Sequence, residues 1–356
     1  MSTAAPARSR MRREIGQIPA AVERIVASAD EELGAVAEAI RRAQPGWVMI
    51  AGRGTSDHAA IYAQYLLETH LGLPTGLAKP SVTTVYEAPV AWRGGLVLAI
   101  SQSGQSPDIV AVVRAARAAG ALTVAITNDA RSPLAGTAAW HLRCHAGREL
   151  AVPATKTYVA ELAVVAALVA AIRPSSDLAD GLASLPQALR RTLLHTRRWL
   201  DGPGRSAVAD LAGADRALVV SRGYNLATAM ELALKMKETV GLFAEAYSTA
   251  DFAHGPRVLA RHDVPILAIR PDGPMGAQVD DTLAGVAADG GRVTVIGGPE
   301  AALGRDGALA LPSVLPEALT PLLFVVPGQL LVEATARERG LSPDAPVGLG
   351  KVTRTH

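Results

Sequence analysis

The residues with the greatest chemical reach sit in short loops that follow apolar runs. Ser101-Gln102-Ser103-Gly104-Gln105-Ser106-Pro107-Asp108 comes after Leu96–Ile100. Ser106 and Pro107 read as the N-cap and first residue of a helix. The free amides and positive dipole end of such a helix favour an anion. Ser101, Gln102, Ser103 and Ser106 add neutral donors, and Gly104 lets the backbone approach closely, so this loop suits a phosphate group. The loop Gly52-Arg53-Gly54-Thr55-Ser56-Asp57 holds the same place after Trp47–Ala51. It is a poor dinucleotide fingerprint: Asp57 stands at the third glycine, and no acidic residue follows about 20 residues on to hold a ribose hydroxyl. Neither loop carries the GxxxxGK(S/T) pattern of a P-loop.

Candidates for proton transfer lie further along. Glu231, Lys235 and Glu238 fall at i, i+4 and i+7 of a helix predicted over Asn225–Val240, forming one stripe. Taken alone, that stripe reads as a solvated face. His254, in Ala253-His254-Gly255-Pro256, offers an imidazole whose ordinary pKa of ~6.5 suits proton transfer, although such a turn histidine can equally be structural. Strand alternation would put His141 and His145 on one face and Cys144 on the other. No second ligand pair with zinc-like spacing follows, so no metal site is expected.

The elements that position these loops alternate between short apolar runs and helical stretches. Trp47–Ala51, Leu96–Ile100 and Leu122–Ile126 read as buried strands, with helical patterns over Ala59–Thr69 and Ile109–Ala119 between them. Such βα alternation predicts a parallel sheet covered by helices. The pattern then repeats at an offset of 169 residues. Arg53-Gly54 matches Arg222-Gly223, Leu98-Ala99-Ile100 with Gly104 matches Leu267-Ala268-Ile269 with Gly273, and Val124 matches Val293. The expected organisation is an N-terminal helical arm (1–45), a first α/β subdomain (46–172), a helical connector (173–213), a second subdomain (214–340) and a C-terminal tail (341–356).

The chain's 356 residues are enough for about two domains. Its 49% apolar and 19% charged content excludes a disordered polymer. With 35 basic and 33 acidic side chains there is no concentrated positive charge, so no nucleic-acid partner is expected. Arg8, Arg10, Arg12 and Arg13 read as a solvated basic arm. The single cysteine, Cys144, excludes a disulfide framework and fits a reducing cytoplasm. The longest strongly apolar run, Leu162–Ile172, falls short of the ~18 residues of a membrane span, and no signal peptide follows the basic N-terminus.

Taken together, these motifs resemble the sugar isomerase (SIS) family. The resemblance rests on GRGTSD, SQSGQSPD, Glu149-Leu150-Ala151-Val152-Pro153-Ala154-Thr155-Lys156, LALKMKETVGLFAEAY, AHGP and the tail Gly350-Lys351-Val352-Thr353. The pattern is most similar to the isomerase half of glucosamine-6-phosphate synthase and to stand-alone SIS-type glucosamine-6-phosphate deaminases. It implies two flavodoxin-like parallel-sheet subdomains in tandem, with a phosphosugar site between them completed by a second subunit of a homodimer. It further implies that Thr55, Ser56, Ser101, Gln102, Ser103 and Ser106 hold the sugar phosphate, and that Val152 and Ala154, on a strand-end segment, line the sugar. By the same resemblance Glu238 moves a proton between carbons 1 and 2, and His254 opens the ring from the neighbouring subunit. Lys351 contacts the open-chain sugar, with Lys235 nearby.

Some features depart from the synthase. Ser2 follows Met1 where a synthase needs an N-terminal cysteine thiol, and the length leaves no room for a glutaminase domain. Arg53 replaces a cysteine, Gln105-Ser106 replaces Glu-Thr, and the ending is closer to the deaminases. The expectation is a cytoplasmic deaminase that converts glucosamine 6-phosphate and water to fructose 6-phosphate and ammonia without metal or redox cofactor and away from membranes. The alternatives are deamination of galactosamine 6-phosphate or a fructosamine 6-phosphate, another phosphosugar isomerisation, or a noncatalytic phosphosugar sensor.

Overall fold

The structure, a computed structural model, describes residues 9–28, 31–174, 176–260, 264–298, 307–311 and 315–351. Three helices open the chain: α1 (Arg10–Ile15), α2 (Ile18–Ser28) and α3 (Glu32–Ala43). The first α/β unit follows. It comprises β1 (Val48–Ala51), α4 (Thr55–Leu71), β2 (Thr75–Leu77), α5 (Pro80–Thr84), β3 (Leu96–Ile100), α6 (Pro107–Ala118), β4 (Leu122–Thr127), α7 (Pro133–Thr137), β5 (Trp140–Arg143) and α8 (Lys156–Ile172). Helices α9 (Ser176–Asp201) and α10 (Arg205–Ala212) lead to the second unit. There the order is β6 (Arg216–Ser221), α11 (Leu226–Lys235), β7 (Phe243–Ser248), α12 (Thr249–Ala253), β8 (Ile266–Ile269), α13 (Pro274–Ala288), β9 (Val293–Ile296) and α14 (Thr320–Glu338).

Both sheets are parallel. The first has the order β2-β1-β3-β4-β5, the flavodoxin-like arrangement, and the second has β7-β6-β8-β9. The 169-residue offset carries β1 onto β6, β3 onto β8 and β4 onto β9, each in the same sheet position. Period-two alternation splits each strand between two interiors. Leu96, Leu98 and Ile100 face a large core built from α2, α3, α4, α8, α9, α11 and α14, whereas Val97 and Ala99 face a smaller one under α6 and α7. Leu218, Val220, Ile266 and Ala268 likewise meet α13 across the second sheet. Because the large core draws on both sheets, the two halves share one interior.

Helix α8 is buried on all sides from Lys156 to Val169, as its nearly uniform apolar sequence requires. Residues Glu317–Glu338 are long and apolar enough to cross a membrane, but 94% of their apolar window is buried, as in a core helix. The basic run is only partly a solvated arm. Its described residues form α1, whose Met11 and Ile15 are buried and whose Arg12 Nη1 lies 3.4 Å from the buried carboxylate of Glu333. Arg8 lies outside the described residues.

The described residues nearest the two termini meet beside the first half. Asp344 accepts the amides of Arg10 and Met11 at 2.9 and 2.8 Å, which caps α1 from the tail. Glu14 in turn accepts the amides of Leu150 and Ala151, and the carbonyl of Asp344 accepts the amide of Val152. The N-terminal helix, the segment before α8 and the tail are thereby held as one unit.

Candidate active site

Strands β1 and β3 are neighbours whose connections leave in opposite directions. Their carboxyl ends therefore open a crevice at the switch point, where open α/β sheets bind ligands. Thr55 and Ser56 start α4 on one side, and Ser101–Ser106 bridge β3 to α6 on the other. Ser106 takes the N-cap position ahead of Pro107 but makes no capping bond, so its hydroxyl is not committed to the helix. Ser101 Oγ accepts the Gly104 amide and Ser103 Oγ accepts the Gln105 amide, which orients both side chains. Gly104 has φ +60°, and a Cβ there would stand 2.2 Å from Ser132 Oγ, so only glycine fits this turn.

The second half closes the crevice. A cleft of about 380 Å³ is lined by Thr55, Ser56, Ser101, Gln102, Ser103, Ser106, Val152, Ala154, Lys235, Glu238 and Lys351, together with Arg53 and Leu349-Gly350. All the site residues expected from sequence except His254 meet there. Val152 and Ala154 belong to the loop between β5 and α8 rather than to a strand end, because β5 stops at Arg143. His254 caps the end of α12, is exposed, and does not line this cleft.

The expected helix over Asn225–Val240 is broken into three parts. A 3-10 turn (Gly223–Asn225) precedes α11, and a π-turn (Met236–Val240) follows it, ending at the left-handed Gly241. The wider π-turn carries Glu238, and such bulges recur at functional sites. The charged stripe is also not a solvated face, since Glu231 is 0% and Lys235 1% exposed. Lys235 Nζ contacts Glu238 Oε2 at 2.5 Å, Glu231 Oε1 at 3.4 Å and Thr55 Oγ1 at 3.2 Å. Burial by itself lowers the Lys235 pKa, but the two carboxylates outweigh it and hold the amine above its ordinary value. Glu231 Oε2 is held by His58 Nδ1 at 2.8 Å.

Lys351 enters from the tail. Its amine donates to Glu149 Oε2 at 2.9 Å and to the Ala151 carbonyl at 2.8 Å. Burial pushes the Glu149 carboxyl up, but Lys351 and hydrogen bonds from Thr157 and Thr155 reverse this and leave it below the ordinary value. Val352 and the rest of the tail motif lie outside the described residues. Behind the cleft, Glu161 and His58 carry no recognisable spacing, while Glu149 and Asp108 stand in the motifs quoted above without a role read from them. Arg53 donates twice to Asp108 Oδ2, at 2.9 and 2.7 Å, across the mouth of the serine loop.

The His141–His145 expectation fails at its second member. The strand ends at Arg143 and His145 has φ +48°, so the alternation does not reach it. His141 Nε2 shares a 2.9 Å hydrogen bond with Thr127 Oγ1.

The corresponding crevice of the second half is filled from within. Glu317 accepts the Met275 amide at the start of α13, and a Cβ on Gly273 would stand 2.4 Å from Glu317 Oε2. A carboxylate of the chain itself therefore occupies the place that the serine loop leaves open in the first half.

Comparison with known proteins finds one family matched by each half of the chain. The SIS domain family model matches residues 43–171 and 210–332. The chain is 34% identical over 344 residues to glutamine–fructose-6-phosphate aminotransferase (isomerizing) of Methanothermobacter thermautotrophicus, covering 96% of this chain and 56% of that protein. It thus spans little more than half the length of that relative. A candidate phosphosugar isomerase from Silicibacter pomeroyi DSS-3 superposes with a TM-score of 0.84 at 38% identity, covering 95% of this chain and 100% of that one. The C-terminal domain of glucosamine-fructose-6-phosphate aminotransferase from Francisella tularensis superposes with a TM-score of 0.82 at 24% identity, over 97% and 100% of the two chains.

Proposed function

The chain belongs to the SIS domain family, of which it carries two copies, and from that premise we propose that it is a glucosamine-6-phosphate deaminase. In this reading it converts glucosamine 6-phosphate and water to fructose 6-phosphate and ammonia. The supporting observation is the convergence in one cleft of a serine-lined anion loop with Glu238, Lys235 and Lys351.

The phosphate sits against Ser56, Ser101, Gln102, Ser103 and Ser106, so the sugar chain reaches toward Glu238. Fixing one end in this way turns proton transfer into a positioned, intramolecular event. Glu238 takes the proton from carbon 2 and returns it to carbon 1. One of its oxygens is held by Lys235, which leaves the other for the substrate. Lys351 and Lys235 stabilise the negative charge that develops on the enolamine. The resulting imine is hydrolysed and ammonia leaves. His254 assists ring opening in the cleft of a partner copy, in keeping with its exposure and its absence from the cleft of its own chain.

The test is ammonia release from glucosamine 6-phosphate, with galactosamine 6-phosphate alongside and Glu238→Gln as control. Release that depends on Glu238 and favours the gluco sugar supports the reading. Preference for the galacto sugar keeps the chemistry and changes the substrate. Binding without ammonia from either sugar rejects deamination of both and leaves a fructosamine 6-phosphate, another phosphosugar isomerisation or a noncatalytic sensor.

A further inference from the structure

Glu161 lies on α8 directly behind the phosphate loops and is only 1% exposed. Its Oε1 is 2.8 Å from Ser56 Oγ, and its Oε2 is buried without any partner among the described residues. We infer that Glu161 is a positioning residue that sets the direction of the Ser56 hydroxyl, so that the phosphosugar is bound by the form of the protein in which Glu161 carries a proton. This inference rests on the phosphosugar reading above.

The surroundings explain the proton. A buried carboxylate is tolerated when cations or several donors compensate it, and Glu161 has one hydroxyl. Glu231 on α11 and Glu149 in the loop before α8 face it with like charge. Lys351 from the tail is the opposing cation, but it is bonded to Glu149. The remaining titratable neighbours are Tyr158 on the same helix and Cys144 beyond β5. Burial first, then the two carboxylates, push the Glu161 pKa up to about 8, against the hydrogen bond from Ser56.

The position of that proton follows from the geometry. The carboxylate form accepts the Ser56 hydroxyl at Oε1; with no acceptor beside Oε2 among the described residues, the protonated acid reverses that bond and donates from Oε1 to Ser56 Oγ. Ser56, having received a hydrogen bond from behind, turns its own O–H into the cleft, where a phosphate oxygen accepts it. Once Glu161 ionises, the hydroxyl must donate backward instead. Only oxygen lone pairs then face the anion.

The experiment is calorimetric titration of the full-length protein with fructose 6-phosphate at pH 7 and pH 9. This sugar has no amine, and its phosphate, with a second pKa of about 6, is already a dianion across that range. Cys144 and Tyr158 are raised well above their ordinary values by burial, so neither gains charge there. The expected result is a Kd about tenfold weaker at pH 9, because the binding-competent fraction falls by that factor. Binding at pH 9 should also take up a proton, read from the dependence of the heat on the ionisation enthalpy of the buffer. Glu161→Gln, whose amide donates to Ser56 at any pH, should give one Kd at both pH values and no proton uptake through this site. A wild type with unchanged Kd and no proton uptake overturns the inference, as does a glutamine variant that keeps the wild-type pH dependence. Should the variant fail to fold, the wild-type proton uptake decides alone. Absence of binding at both pH values would overturn the phosphosugar reading and this inference with it, whereas binding without pH dependence overturns this inference alone.

Discussion

Lys235 Nζ and Glu238 Oε2 are 2.5 Å apart at the point where the second half of the chain meets the serine-lined loops of the first. The lysine also serves Glu231, so one buried cation balances two carboxylates. Removing one partner of a buried charge network costs more than the network contributes, because the remaining charges stay buried without compensation. Lys235→Met should therefore destabilise the fold by about 3–5 kcal/mol as well as abolish turnover. Urea melts of the variant at neutral pH check this. A loss below about 1 kcal/mol would mean that water or His58 compensates the two carboxylates instead.

Gly104 offers a separation of affinity from catalysis. Its φ of +60° disfavours any side chain, and an added methyl group would strike Ser132. Gly104→Ala should displace the turn that carries Ser103 and Ser106, at a cost in stability of about 1–3 kcal/mol. The Kd for fructose 6-phosphate should rise at least tenfold while Glu238 and Lys235 remain in place. Unchanged affinity would show that the loop does not hold the phosphate.

Much of the fold is legible in the sequence. The strand-loop-helix pattern placed β1, β3 and β4 within a residue of where they lie, because buried parallel strands are short, uniformly apolar and bounded by glycine and serine turns. The position of the serine loop was legible for the same reason: its donors are adjacent in sequence and stand at a strand end. The charged stripe was not. Surface and interior stripes share one spacing, and burial of Glu231 and Lys235 is decided by α4 and α14 packing over α11, which are distant in sequence. The π-turn at Met236 left no signature, since a single added residue per turn does not alter composition. Glu161 was equally invisible: it stands in an apolar helix, and its importance comes from Ser56, 105 residues away.

Glu149 and Lys351 should show themselves in acid. The Glu149 carboxyl is held below its ordinary 4.5, so its contribution is fully present above that value and is lost as pH falls through the folded value. The wild type should therefore lose stability below pH 4.5 more steeply than Glu149→Gln, and the two urea curves should converge as the pH is lowered. At neutral pH the variant should be the less stable, because Lys351 and both threonines lose the carboxylate that they share. It should also lower kcat more than it changes Kd, since the freed tail no longer presents its lysine. Parallel stability curves from pH 7 to pH 3.5 would remove Glu149 from the acid response.

Glu161 predicts the opposite slope. Its carboxyl is raised from 4.5 to about 8, so between these values the folded protein holds a proton that the unfolded chain has released. Stability then falls as pH rises, by on the order of 3 kcal/mol between pH 5 and pH 7.5, and the slope fades above pH 8 as the folded carboxyl itself ionises. Glu161→Gln has no such proton to hold. The ligand-free variant should therefore gain on the wild type as pH rises, with the difference in Tm widening from pH 5 through pH 8 and levelling near pH 9. Thermal melts of both proteins without ligand at half-unit steps measure this directly. A constant difference across the range would mean that Glu161 is ionised when folded, with water satisfying its second oxygen.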